Sequence, residues 1–138
     1  MAIFTGGCLC GGVRFELAEP PAAASYCHCI RCQRRTGTAA SAQARIVPGS
    51  LRVTAGEKLV STWAPPEGFP KSFCSRCGGA LWSSDPSTGE ISGVRMGTFD
   101  HDPGVRPSYR QYVAYAASWE PIPDDGLPCY PERRPPDA

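Results

Sequence analysis

Apolar and polar residues alternate along short stretches of this chain and do not recur at helical spacing. Val13-Arg14-Phe15-Glu16-Leu17 is the clearest case, with three apolar side chains on one face and two charged ones on the other, which predicts a half-buried strand. Leu51-Arg52-Val53-Thr54 repeats the alternation, and Ala55-Gly56-Glu57 turns the chain into a returning stretch over residues 58–63. Further strands are predicted over residues 3–5, 22–26, 39–47, 90–96 and, as the last, 109–117. Residues 71–73 lead into a thiol pair and residues 78–82 lead out of it. Pro20-Pro21, Pro48-Gly49, the loop at residues 64–68 and Asp85-Pro86-Ser87-Thr88-Gly89 punctuate these stretches. The helical content predicted is one turn over residues 30–35, closed by Gly37 as a C-cap. The fold class is therefore all-β, built mainly of short antiparallel strands. Trp63, Phe73 and Trp82 read as core residues. From Pro121 onward, proline and charge predict a loosely packed end, so residues 1–130 are expected to form a single domain and residues 131–138 a tail.

Composition narrows the class of function. The 138-residue chain carries 14 basic and 13 acidic residues, and so lacks the strongly basic balance of a nucleic-acid surface. No apolar run approaches the roughly 18 residues of a membrane span. A glycine pair and a thiol by residue 8 do not fit a signal peptide. The default is a cytoplasmic, reducing setting, in which eight cysteines point to metal binding more than to disulfides.

Seven of those cysteines fall into three groups. Cys8-Leu9-Cys10 and Cys74-Ser75-Arg76-Cys77 are pairs, while Cys27-His28-Cys29-Ile30-Arg31-Cys32 packs three thiols into six residues. In an extended segment Cys8 and Cys10 point to the same side. Cys74 and Cys77 have the spacing of a zinc knuckle, with Gly78 and Gly79 to permit the turn. Four thiolates make a closed tetrahedral site, hence a structural zinc that ties residue 8 to residue 77. The alternatives are a redox dithiol, which normally opens a helix in an α/β fold, and iron in place of zinc. Cys27, Cys29 and Cys32 supply only three donors, and an unfilled position marks a catalytic or ligand-exchanging zinc. With three thiolates such an ion carries a formal charge of about −1, which suits it to activating a substrate thiol better than to making hydroxide. The plainer alternative is a second structural zinc completed by His28, His101 or Cys129. Alternation should turn His28 away from the thiols, toward the surface or to a place behind them. Arg34, Arg35, Thr36 and Gly37 follow the triplet and are candidate contacts for the carboxylates of an anionic thiol, or else a solvated basic turn.

Taken together, Gly7-Cys8-Leu9-Cys10-Gly11-Gly12-Val13, Cys27-His28-Cys29 with Cys32, Arg35-Thr36-Gly37 and Phe73-Cys74-Ser75-Arg76-Cys77-Gly78 resemble the glutathione-dependent formaldehyde-activating enzyme family, which includes centromere protein V. Gly97-Thr98-Phe99-Asp100, Pro107 and Leu127-Pro128 extend the likeness over residues 3–130. The resemblance implies a β-tent fold pinned by a structural zinc on Cys8, Cys10, Cys74 and Cys77. It also implies a catalytic zinc on Cys27, Cys29 and Cys32, two zinc ions per chain in all. The implied activity is that of a carbon–sulfur lyase joining formaldehyde to glutathione as S-(hydroxymethyl)glutathione. Its partners would be a small thiol and an aldehyde, with neither nucleic acid nor membrane. The competing expectation is a non-catalytic zinc module that binds a protein partner.

Overall fold

In the computed structural model, residues 4–138 are described, so Ile3 of the first predicted strand lies outside the described residues. Among the described residues eleven strands form two sheets. The smaller sheet has the order β1 (Phe4–Gly7), β2 (Arg14–Leu17), β5 (Leu51–Ala55). The larger runs β11 (Cys129–Tyr130), β10 (Pro107–Gln111), β3 (Ala23–Cys27), β4 (Ser41–Arg45), β9 (Ile91–Arg95), β8 (Ala80–Ser84), β7 (Lys71–Cys74), β6 (Val60–Trp63). The all-β class is borne out. The pairing is antiparallel except that β10 lies parallel to both β3 and β11. One short helix, α1 (Ile30–Thr36), follows β3, and Gly37 closes it in the left-handed conformation at φ 71°. No helix is long and apolar enough to cross a membrane.

The core lies between the sheets. Along β2 the alternation does what the pattern predicts: Phe15 and Leu17 are 1% and 0% exposed, while Arg14 and Glu16 face outward to Asp100 and Arg52. Phe15 meets Trp82 and Phe99 edge-on, each with ring centroids 6.0 Å apart, the favoured arrangement for aromatic quadrupoles. On the larger sheet the facing row crosses five strands as directly opposed residues: Ala24, Ala44, Val94, Trp82 and Ser72, all buried.

Side chains alternate across a strand, so the other face of the same strands must carry the intervening residues. These are Ser25 and Cys27 on β3, Ser41 and Gln43 on β4, Gly93 and Arg95 on β9, Ser83 on β8 and Lys71 on β7. Helix α1 lies over this polar face at β4, where Arg35 donates to the buried Ser41 hydroxyl at 2.6 Å.

Three sequence expectations are corrected. Trp63 is 56% exposed, because it stands opposite Lys71 on the polar face of the edge strand β6 and not on the core face. Trp82 is core as expected, and Phe73 is half-buried. The strand expected over residues 109–117 stops at Gln111, since Tyr112 takes a left-handed conformation (φ 58°) and residues 113–115 form a 3-10 turn. The end of the chain is not loosely packed. Cys129–Tyr130 adds to β10, the Pro131 and Glu132 carbonyls accept from the amides of Ala114 and Tyr112, and the Arg134 guanidinium stacks 4.8 Å from the Tyr109 ring centroid. The backbone hydrogen bonds come from residues far apart in sequence, which local composition does not register.

Gly6, in β1 just ahead of the first thiol, is wedged beneath this packing. A Cβ there would sit 2.4 Å from the Thr98 carbonyl oxygen and 2.5 Å from the Phe15 ring. Gly6→Ala should therefore cost about 1–3 kcal/mol by overpacking and lower the thermal midpoint by several degrees. An unchanged midpoint would show that β1 and the residue 96–99 turn separate freely.

Candidate metal centres

The first sulfur cluster is made by two knuckles from different sheets. Beyond β1 the chain turns tightly: the Gly11 amide donates to the Cys8 carbonyl at 3.1 Å, the Cys8 amide to the Val13 carbonyl at 3.1 Å, and the Val13 amide to Cys8 Sγ at 3.2 Å. Cys8 and Cys10 thus converge through a turn, not through the strand alternation invoked from their spacing. At the end of β7 the Gly78 amide donates to the Cys74 carbonyl at 2.7 Å, and Gly78 (φ 76°) permits the turn that returns Cys77 toward Cys74. Gly79 is where the knuckles meet: a Cβ there would lie 3.1 Å from the Leu9 amide nitrogen and 3.4 Å from Cys77 Sγ.

The four sulfurs of Cys8, Cys10, Cys74 and Cys77 lie within 4.8 Å of one another, with Cys8–Cys10 at 3.6 Å and Cys10–Cys74 at 3.9 Å. Bonds of about 2.3 Å to a tetrahedral zinc place sulfurs about 3.8 Å apart. A disulfide would need about 2.05 Å. The donors fit a four-thiolate metal. Backbone and side chain also favour thiolate: Cys10 is lowered to about 6 by the Gly12 amide and by Arg76, whose Nε lies 3.3 Å from its sulfur.

The second cluster straddles the junction of β3 and α1. Cys27 is the last residue of β3, Cys29 caps the helix and accepts from the Cys32 amide at 3.3 Å, and Cys32 is buried in the first turn. The three sulfurs also lie within 4.8 Å of one another. Cys29 is the thiol held lowest, because those of Cys27 and Cys32 donate to it and the amides of Cys32 and Arg31 point at it; Cys27 is correspondingly raised. Neither His28, His101 nor Cys129 joins the cluster. His101 is exposed, and Cys129 is exposed on β11 with its thiol toward the Leu127 carbonyl.

His28 does turn away from the thiols, but into the protein and not to the surface. It is 4% exposed, and its Nε2 lies 3.2 Å from Nη1 of Arg110. Burial and the Arg110 cation both lower its pKa, so the neutral ring accepts from the guanidinium. Arg110 in turn pairs with Asp125 at 2.7 Å and stacks 4.3 Å from the Tyr26 ring centroid. Gln33 braces the junction from the other side, donating to the carbonyls of both His28 and Tyr115 at 2.8 Å.

Of the candidate substrate contacts, Arg34 points to solvent, the Thr36 hydroxyl donates to the Cys32 carbonyl at 2.8 Å, and Gly37 caps the helix. Arg35 alone turns inward to the sheet. Sequence reasoning missed Tyr112, a non-glycine residue with positive φ whose phenol is raised by burial and by negative charge on the nearby cysteine cluster. It also missed Lys71 and Arg95, which share the polar face with Cys27. Only strand pairing brings these together, and no local motif announces it.

A family model described as glutathione-dependent formaldehyde-activating enzyme matches residues 3–115. A relative from Halomonas elongata, provisionally named a glutathione-dependent formaldehyde-activating enzyme, is 28% identical over 108 residues, covering 72% of this chain and 68% of its own. The crystal structure of a Rhodobacter sphaeroides protein superposes with a TM-score of 0.53 at 27% identity, covering 91% of this chain and 98% of that one.

Contact between the two knuckles at Gly79 gives a direct check on the first cluster. Gly79→Val should push Leu9 from residues 77–79 and weaken metal retention there at least tenfold, while metal at Cys27, Cys29 and Cys32 stays in place. Competition with a chromophoric chelator would read both steps, and equal weakening of the two sites would contradict the assignment.

Proposed function

The chain belongs to the glutathione-dependent formaldehyde-activating enzyme family, and we propose that it is a zinc-dependent carbon–sulfur lyase-type enzyme that joins a glutathione-like thiol to formaldehyde or a similarly small aldehyde. One observation carries the reading: one cluster has four sulfur donors and the other three, and no fourth Cys, His, Asp or Glu ligand among the described residues completes the second. In this reading Cys8, Cys10, Cys74 and Cys77 hold a structural zinc, and Cys27, Cys29 and Cys32 hold a second. Bound there, the second zinc would supply a lowered thiol pKa, so that the substrate sulfur reacts as thiolate at neutral pH.

The chemistry is an addition with no redox change. A sulfur–carbon bond forms, the carbonyl π pair moves onto oxygen, and that oxygen gains the proton the thiol gave up. The chain's own residues hold the reactants. Burial of Cys27 and Cys32 keeps water from the inner side of the cluster. The Gln33 bridge and the His28–Arg110–Asp125 chain fix the turn on which the cysteines ride. Tyr112, half-buried where the charges of Cys27 and Cys29 are felt, lines the surroundings of the cluster with a phenol that stays protonated at neutral pH. None of the eight cysteines is in a disulfide, which suits a reducing compartment such as the cytoplasm. A non-catalytic module would be better served by two saturated sites.

Metal analysis should return about two zinc per chain, and a persistent stoichiometry of one would remove the second site. Cys27→Ser should lose one metal and all turnover while the chain stays folded. Cys74→Ser should abolish soluble protein, because a structural zinc can supply roughly 10 kcal/mol or more of folding free energy. Equal damage from the two substitutions would argue that both sites are structural. Formaldehyde and thiols also combine unaided, so turnover must exceed the buffer reaction with metal fully bound. A rate equal to that background would rule out the formaldehyde assignment.

A further inference from the structure

The polar face of the large sheet carries more positive charge than its surroundings balance. Arg35 reaches down from α1, Arg95 rises from β9 and Lys71 from β7. None of the three forms an ion pair with a carboxylate; the salt bridges among the described residues are made by Arg14, Arg52, Arg106 and Arg110. Each instead has a single neutral acceptor: the Ser41 hydroxyl for Arg35, the Ser83 hydroxyl for Arg95 and the Phe69 carbonyl for Lys71. A guanidinium has five N–H donors in a planar fork, and one hydroxyl leaves most of them unmet. Nε and Nη1 of Arg35 and Nε of Arg95 are buried without any partner. Buried donors of this kind are costly unless something accepts from them.

The thiols of the second cluster do not answer the imbalance. Arg31, exposed and bonded to the Glu67 carbonyl, adds a further cation near Lys71, and the three thiols would share their charge with a bound metal. Crowding of these cations also lowers their own basicity: burial and the neighbouring Arg35 bring Arg95 down to about 10, and burial and Arg95 lower Lys71.

We propose that Arg35, Arg95 and Lys71 form the recognition site for the carboxylates of the substrate thiol, which lies across the strands with its sulfur at Cys27, Cys29 and Cys32 and its acidic end over β9 and β7. Arg95 stands two strands and two residues from Cys27, about 12 Å between backbones at the usual spacing. Its long side chain reaches back until Cys32 and Cys27 act on its charge, as Cys32 does on that of Lys71, which leaves a gap that a peptide-sized thiol can bridge, since an extended tripeptide spans at most about 10–11 Å. Space is left between Arg95 and Lys71: Gly93 stands in the row that runs through Ser83 to Lys71, and a Cβ there would meet only the Ala44 carbonyl oxygen, at 3.9 Å. Trp63, exposed opposite Lys71, forms the outer end of the track. The site therefore selects dianionic, peptide-sized thiols over neutral or cationic ones. This inference rests on the thiol-addition reading above and names its specificity residues.

S-Methylglutathione tests recognition apart from catalysis, because its sulfur is a thioether that cannot add to an aldehyde. Calorimetry on the full, zinc-bound chain should show it binding at least tenfold more tightly than its dimethyl ester. Arg95→Gln and Lys71→Gln should each weaken the diacid about tenfold and shrink its advantage over the ester, and Gly93→Leu should block both by filling the track. Equal affinity of wild type for diacid and diester, or no binding of either, would overturn the proposal without recourse to any variant. So would folded, two-zinc variants that discriminate as wild type does. Complete displacement of the tripeptide by an equal concentration of inorganic phosphate would overturn it in favour of a free-anion site. Normal diacid binding with no turnover above background would instead leave recognition standing and count against the lyase reading.

Discussion

Convergence of four sulfurs from two sheets is the constraint on which the rest of the molecule depends. Cys8 follows β1 of the small sheet and Cys74 ends β7 of the large one, so whatever joins them joins the two layers around Phe15 and Trp82. A covalent link closing a loop of this length removes on the order of 4 kcal/mol of unfolded-chain entropy, and a tight metal tie acts in the same direction. The strands have only two to five residues each, and alone they offer little to hold a register. That explains the glycines around both knuckles. Gly6 and Gly79 sit where a single methyl group would separate chain segments that the sulfurs need in contact.

The same tie leaves the second cluster free to be different. If folding rests on the four-sulfur tie, as proposed, Cys27, Cys29 and Cys32 can keep an unfilled position at the cost of local order only. That order comes from protein groups: a helix cap by Cys29, the Gln33 bridge, and the neutral His28 held by Arg110. A histidine between two cysteines invites the reading of a ligand. Alternation along β3 sends it instead to the opposite side, where it stiffens the turn from behind.

What could be read from the chain, and what could not, divides along the range of the interactions. The β2 alternation, the helical turn closed by Gly37 and the two pairs of thiols are encoded within a few residues, and each was legible. The left-handed Tyr112, the parallel addition of Cys129–Tyr130 to β10 and the exposure of Trp63 depend on partners far away in sequence. Proline and charge after residue 121 read as a loose end, yet the same residues supply carbonyls and a guanidinium to β10 and its turn. The candidate site divides the same way. Its cysteines form motifs, whereas Lys71 and Arg95 become neighbours of Cys27 only once β3, β4, β9, β8 and β7 are laid side by side.

A sheet with one apolar and one polar face normally turns the polar face to water. Here that face is partly roofed by α1, and Ser25, Ser41 and Ser83 on it are as buried as core residues. Hydroxyls can be enclosed cheaply when a neighbouring oxygen accepts from them, as the Gln43 amide oxygen does from Ser41 at 3.0 Å. Guanidinium groups cannot, and evolution toward stability alone would replace Arg35 and Arg95 with residues that leave no donor unmet. Their retention beside a cluster of thiols makes sense if the missing acceptors arrive with the substrate. The destabilisation they impose on the free protein is then the same quantity that favours an anionic ligand, released when its carboxylates complete the hydrogen bonds.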